Sequence, residues 1–424
     1  LSEDTAKSLK TRNIKTVILD VIDSEDSSLT MLFSNLSKYA QIENLTFIGL
    51  VTDSSITRHL PDLFTSLRRM EVNHSAIYIM TREGLAELYT HLVNQEQLCI
   101  SQYYDRNRKE EEEGVIIEKN PRFDYFEVVF SCLPKLKSLE VAILGSWNSL
   151  ICLDKTADNP VPNLLQLTLV DTDSNDCGKV IEQVSRMFPN LKHLYLSISD
   201  HCGDDLQEVE VDFKHLESLT MDQGSCMLMI PDTLRSMCHG CTTLKALDVS
   251  VYSPYCGYEL ETEDVADILK DCVENLRVLN IKGHGTILKA WTESLVTKLK
   301  FLEVLVLGVF HNSDEEKPGT EIKVEFLNKV GSHMPNLISL LGVRITRAEY
   351  NSLPALKYIT KKSGLWSCSW SCDITTRSDR HQTASRTSDS TRSKWIDVAQ
   401  HTPEWFEATG WKYFQLELPD FAAN

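Results

Sequence analysis

Cys238-His239-Gly240-Cys241 is the tightest grouping of metal-ligating side chains in the chain. Two thiolates at that spacing supply half of a tetrahedral zinc site, and Cys256 or Cys272 is available by number to complete it. The surroundings favour packing instead. Cys238 and Cys241 close a helical stretch ahead of Leu244, and Cys132 and Cys272 each sit four residues before a comparable leucine. Met187 and His333 fill that same place elsewhere. A position that accepts Cys, Met or His alike is filled for volume, so no metal is expected. Cys368, Cys372 and His381 make a weaker group still. Glu140 and Asp248 are candidate carboxylates for acid–base work, but they lie four repeats apart in the pattern described below. At about 4.8 Å per strand that is roughly 19 Å, too far to share one substrate. No phosphate loop, nucleophile elbow or H-E-x-x-H motif is present. The expectation is a chain with no catalytic residue and no cofactor.

The chemistry of contact is better represented. Residues 251–263 (VYSPYCGYELETE) put Tyr252, Tyr255 and Tyr258 on one loop, and residues 310–320 (FHNSDEEKPGT) open a second with Phe310. Together with residues 200–211 these inserts all follow a predicted strand, so they project from one edge. Insertions in repeat arrays gather on one face, often the binding face.

The elements that position these residues repeat. Pro162-Asn163-Leu164-Leu165-Gln166-Leu167-Thr168-Leu169 carries leucines at the spacing L-x-x-L-x-L. The spacing returns at Leu136/Leu139/Val141, Leu191/Leu194/Leu196, Leu216/Leu219/Met221, Leu244/Leu247/Val249, Leu276/Leu279/Ile281 and Leu302/Leu305/Leu307, with a worn copy at Leu337/Leu340. Weaker copies precede them at Ile14/Val17/Leu19, Ile42/Leu45/Phe47 and Leu67/Met70/Val72. The long gap from Leu67 to Leu136 has room for a degenerate repeat around Leu98-Cys99-Ile100. Stretches with apolar residues three and four apart lie between the copies, as at Val180, Ile181, Val184 and Met187. Several end in Pro-x-Leu, where proline stops the helix and favours an extended start for the strand. The unit is therefore helix, turn and short strand, and no unit can bury its apolar face alone.

Strand alternation sends the leucines inward and the residues between them outward. The outward row reads Ile18, Thr46, Glu71, Glu140, Thr168, Tyr195, Thr220, Asp248, Asn280 and Val306, and is expected to face solvent. Gln166, His193, Ser218, Asp222 and Lys282 stand beside it. Aromatic groups set among polar ones make contact hot spots, which singles out Tyr195 and His193, with Thr168, Glu140, Asp222 and Asp248 around them.

The spacing, its irregular period and the helix–strand unit resemble the leucine-rich-repeat superfamily over most of residues 14–360. The resemblance implies an α/β solenoid, a curved leucine-rich-repeat array with a parallel concave sheet and convex helices. Within the superfamily the chain is similar to two kinds of intracellular repeat region. One is the sensing region of NOD-like innate-immune receptors, which binds a ligand or holds the receptor inactive. The other is the region of F-box ubiquitin-ligase adaptors that holds substrate. The function implied is a non-catalytic protein-recognition module of a multidomain intracellular protein, with the receptor reading first and the ligase adaptor as the alternative. The partner would be another protein or a macromolecular ligand, with a signalling or ligase-recruiting domain upstream. A structural scaffold or an enzyme remains as a further alternative.

Composition agrees with that class. The net charge of -18 and a pI near 5.1 leave no basic surface for nucleic acid as the main partner. No apolar run approaches the ~18–20 residues that span a bilayer, so no membrane insertion is expected. Twelve cysteines are spread singly along the chain, which implies reduced thiols and a cytoplasmic setting. The opening Leu1-Ser2-Glu3-Asp4 is polar and lacks Met, so the chain is expected to be a piece of a longer protein. Four segments follow: degenerate repeats over 1–135 with a charged loop at 105–114, and regular repeats over 136–360. A Ser/Thr/Arg-rich linker covers 361–394, and an aromatic-rich cap or docking segment covers 395–424.

Overall fold

The structure, a computed structural model, describes residues 15–21, 42–49, 66–73, 86, 89, 90, 92, 94–102, 125–145, 160–172, 177–198, 211, 213–223, 230–239, 241–250, 269, 273–283, 297–309, 331–341, 353, 358 and 359. The chain divides into two compact units, one formed mainly by residues 1–244 and the other by 245–250, 259–266 and 273–424. Among the described residues the first unit has eight strands: β1 (Thr16–Val21), β2 (Asn44–Gly49), β3 (Arg69–Asn73), β4 (Gln97–Gln102), β5 (Ser138–Gly145), β6 (Gln166–Thr172), β7 (His193–Ile198) and β8 (Ser218–Gln223). Each pairs in parallel with the next, in sequence order. Helices α1 (Tyr125–Cys132) and α2 (Cys177–Met187) precede β5 and β7, and α3 (Ile230–Cys238) follows β8. The second unit has β9 (Ala246–Ser250), β10 (Val278–Gly283), β11 (Val304–Val309), β12 (Ser339–Leu341) and β13 (Tyr358–Ile359), again parallel and in order. One parallel strand per repeat in unbroken sequence order is the α/β solenoid that the leucine spacing predicts.

The leucine positions form the core. In the β6 repeat the three leucines of the motif, Leu164, Leu167 and Leu169, are fully buried, and the corresponding residues of the β5, β7 and β8 repeats are buried with them. Burying a leucine side chain contributes about 1.5–3 kcal/mol, and the contribution recurs at each repeat. β4 occupies the gap after Leu67, with Leu98 in the core. Its first motif position is Gln95, wholly buried, with Nε2 donating to the Gln97 carbonyl. A glutamine standing where a leucine is usual is why this repeat is hard to read.

Two backbone devices hold the copies in phase. The residue after the first motif position offers one carbonyl to two N–H groups of the next repeat. Lys137 O accepts from Leu165 and Gln166, Leu165 O from Lys192 and His193, and Lys192 O from Glu217 and Ser218. The same joint recurs in the second unit, where Lys245 O accepts from Arg277 and Val278. Ahead of several strands a tight turn returns the N–H of the first leucine to the carbonyl three residues back, as Leu191 to Phe188 and Leu337 to Met334. Proline suits the second place of such a turn, which accounts for Pro189 and Pro335. The asparagine after it bridges repeats: Asn163 Nδ2 donates to Pro134 O at 3.0 Å, and Asn190 Nδ2 to Pro162 O at 3.1 Å. Asn336 does the same to Lys300 O at 2.9 Å.

The side chains of the carbonyl-sharing residues alternate in sign over the first repeats: Lys15, Glu43, Arg68, Glu96 and Lys137. Lys15 meets Glu43 at 2.7 Å and Lys137 meets Glu96 at 3.1 Å. Hydrogen bonding from the Lys15 ammonium holds the Glu43 carboxyl below its usual value. Further along, Lys192 meets Glu217 at 2.9 Å and Arg277 meets Glu303. Exposed pairs of this kind add little stability and are screened by salt. Their effect is to neutralise the edge where the strands begin.

The devices differ in weight, which gives an expected order of losses. Leu194→Ala removes a core side chain that is 2% exposed and is expected to cost about 2–5 kcal/mol. Asn190→Ala removes one bridge between repeats and is expected to cost about 1 kcal/mol. Urea unfolding of the two variants measures the order, and equal losses would contradict it.

Candidate functional site

The side of each strand opposite the leucines carries the candidate residues, and parallel pairing fixes who stands next to whom. In the first unit the central row runs Ile18, Thr46, Glu71, Cys99, Glu140, Thr168, Tyr195, Thr220, each directly opposite the next. Glu140, Thr168 and Tyr195 are thus consecutive, on β5, β6 and β7, at about 4.8 Å per step. His193 lies one row over, between Gln166 and Ser218. Asp222 is opposite Ser197 on β7. Asp248 belongs to the second unit, opposite Asn280 on β10. Tyr252, Tyr255, Tyr258 and Phe310 lie outside the described residues.

One member of the row has no counterpart in the sequence reading. Cys99 sits between Glu71 and Glu140, and only the weak Leu98-Cys99-Ile100 pattern could have placed it there. The row is also less open than strand alternation predicts. Ile18 is 58% exposed, whereas Cys99 is 8% and Thr220 7% exposed. Short side chains held about 4.8 Å from longer neighbours lose their solvent to them. Glu71, Glu140, Thr168, His193 and Tyr195 are half-buried.

Burial and crowding shape the electrostatics. The Glu140 carboxyl is pushed above its ordinary value, first by burial and then by the Glu71 carboxylate. Arg69 and a hydrogen bond from the Cys99 thiol pull the other way. The thiol is pushed well above its usual range by burial, Glu140 and Glu71. A thiol held in its protonated form is a poor nucleophile, so Cys99 packs and donates. Glu71 is contacted by Arg69 at 3.7 Å and accepts from Thr46 Oγ1 at 3.4 Å.

Two irregularities fall beside these residues. Register shifts occur after Ala142 on β5 and after Leu169 on β6, with one extra residue on the earlier strand each time. Bulges of this kind re-aim side chains and recur next to functional sites. They lie on the strands that carry Glu140 and Thr168.

The thiol pair that suggested a metal site has another use. Cys238 and Cys241 are both 1% exposed, and Cys241 Sγ donates to the Phe213 carbonyl at 3.0 Å. Cys241 fills the turn position that Leu133, Phe188 and Met334 fill in other repeats. Among the described residues no group of three His, Cys, Asp or Glu is arranged to hold a metal ion. Among them, too, no helix is long and apolar enough to cross a membrane.

The strand order, the buried positions and the shared-carbonyl joints are those of a leucine-rich-repeat fold. No protein-family profile and no curated protein matches the chain. Among solved structures it is similar to one of the Rad7 and Elc1 complex in yeast, at 13% identity and a TM-score of 0.43, with 87% of each chain covered. It is also similar to the leucine-rich repeat-containing protein LegL7 from Legionella pneumophila, at 13% identity and a TM-score of 0.43. That match covers 80% of this chain and 97% of the other. At this level neither likeness bears on function, and the repeat fold rests on the chain's own pattern and pairing.

The raised Glu140 value has a sign that can be checked. A carboxyl whose folded value exceeds its unfolded one favours folding below the unfolded value, and that contribution is lost as pH rises through the folded value. Glu140→Gln is therefore expected to raise the Tm at pH 7, with the gain vanishing as pH falls toward 4. Thermal melts of both proteins across that range measure it, and a gain independent of pH would show that repulsion and burial are not its source.

Proposed function

We propose that the chain is a non-catalytic protein-recognition region that engages its partner through the outward side of β5–β8. The observation that carries this reading is the conjunction of Glu140, Thr168, Tyr195 and His193 on neighbouring strands beside two bulges. A half-buried tyrosine and imidazole offer rigid area with polar edges, which is what contact hot spots use. Several charges on the edge where the strands begin are already paired within the chain, Lys15 with Glu43, Lys137 with Glu96 and Lys192 with Glu217. Tyr252, Tyr255 and Tyr258, on an insert that follows β9, would add a second contact.

The resemblance set out above supports the finer reading: sensing or partner-binding repeats of a NOD-like innate-immune receptor in the cytoplasm. Cys99, Cys132, Cys238 and Cys241 are free thiols, which suits a reducing compartment.

A photo-crosslinking residue placed at Tyr195 in the full-length protein tests the face, with one at Arg186, exposed on α2, as the control. Irradiation in cells is expected to give discrete protein adducts from position 195 and none from 186. Adducts from 186 alone, or from neither, would refute the assignment of the face. Recovery of ubiquitin-ligase components at 195 would transfer the finer reading to the adaptor. For the loop, replacing Tyr252, Tyr255 and Tyr258 together with Ser is expected to reduce the adduct yield at 195 at least tenfold without lowering the Tm. An unchanged yield removes the loop from the site.

A further inference from the structure

In the second unit the turns ahead of the strands present their middle residues to solvent. Leu302 N–H returns to the Leu299 carbonyl at 3.0 Å, and Leu337 N–H to the Met334 carbonyl at 3.1 Å. The two turns thus enclose Lys300-Phe301 and Pro335-Asn336. They are adjacent, because Asn336 Nδ2 donates to Lys300 O at 2.9 Å. A short 3-10 turn, Val273–Asn275, stands on the other side, where Arg277 O accepts from Glu303 and Val304. Glu274, Asn275, Lys300, Phe301, Pro335 and Asn336 are all exposed.

Phe301 is out of keeping with its place. The residue before the first motif leucine is Asn275 in the repeat before it and Asn336 in the repeat after it. Asparagine there can bridge to the preceding turn, as Asn336 does, and a phenyl ring cannot. Leu299 and Leu302, both buried, already hold the turn. The ring therefore serves neither the bridge nor the core. It is 42% exposed, and among the described residues only Ile18 of the first unit is a comparably exposed large apolar side chain. One exposed apolar group is ordinary by itself; its setting is what distinguishes this one.

Lys300 Nζ lies over the ring, 5.0 Å from its centroid. An aromatic ring is negative on its face and positive at its edge, so the ammonium and the ring edge favour the same counterpart, a carboxylate. Lys298, exposed just ahead of the turn, adds a second ammonium. Against these stand Glu274 and Glu303, and Glu303 is already paired with Arg277. In a chain of net charge -18, the surface around Phe301 is cationic. Exposed Pro335 on the adjacent turn extends its apolar part. We propose that Phe301, Lys298 and Lys300 form a docking site for an acidic segment of a partner protein. An apolar side chain of that segment lies on the ring, and its carboxylates meet the two ammonium groups. The site belongs to the second unit and does not depend on the face carried by β5–β8.

Fluorescence anisotropy with the full chain tests it. The probe is a labelled peptide with one phenylalanine between pairs of glutamates, and the control peptide carries lysine in place of each glutamate. The acidic peptide is expected to saturate the protein below ~1 mM and the basic one not to bind. Phe301→Asn supplies the residue that bridges neighbouring turns, so it is expected to weaken binding at least tenfold without lowering the Tm. K298E/K300E, which leaves the ring in place, is expected to weaken it as much and repeats the measurement if F301N lowers the Tm. Added salt is expected to weaken binding as well. Absence of saturation by the acidic peptide, equal binding of the basic one, or binding that both variants leave unchanged overturns the proposal. Self-association in sedimentation that F301N abolishes would assign the site to a second copy and overturn it equally.

Discussion

The carbonyl that follows the first motif position of each repeat accepts two N–H groups from the next, and much of the arrangement follows from that joint. It fixes where the next strand begins, so the pairing starts in register whatever the length of the connection between strands. Because the side-chain period of a strand is two residues, a slip of one would send a leucine row to the wrong side. The joint, the turn before it and the buried leucine after it therefore act as one unit. The asparagine bridges strengthen the same corner in three of the repeats described.

The fold was legible because burial leaves its mark at fixed intervals. Leu164, Leu167 and Leu169 are buried where the spacing puts them, and among the described residues so are counterparts such as Ile42, Leu45, Leu139, Leu194, Leu219, Leu247, Leu279, Leu305 and Leu340. The worn repeat at β4 was harder, since Gln95 meets the buried position with an amide instead of a methyl group. The role of Asn163 and Asn190 was present in the letters Pro-Asn-Leu, but a side-chain bond to a neighbouring repeat has no period of its own to betray it. The alternation Lys15, Glu43, Arg68, Glu96, Lys137 was equally present in the letters, but it shows as a row only once the strands are paired.

The site was legible only as an ordering of residues. Alternation places Glu140, Thr168 and Tyr195 in one row, and the pairing does so too. Exposure did not follow from alternation, because it depends on neighbours across strands and on whatever lies over the sheet. Thr220 is hidden beside a larger neighbour, and Asn280 is hidden although a polar residue in that row reads as solvated. The signal missed was the apolar residue opening β9, β10 and β11, where Ala246, Val278 and Val304 are buried. The row in the first unit adds a lesson in reactivity: burial and the flanking Glu140 and Glu71 push the Cys99 thiol well above its usual range, so a thiol between two carboxylates packs and donates.

The alternating charges along the shared-carbonyl residues carry information about descent. Arrays of this kind lengthen and shorten by duplicating or losing whole repeats. Losing the β3 repeat alone would bring Glu43 beside Glu96, and losing the β2 repeat alone would bring Lys15 beside Arg68. Losing both together would restore an opposite pair, Lys15 beside Glu96. Over this part of the chain, then, opposite charges stay side by side only when repeats are removed in pairs.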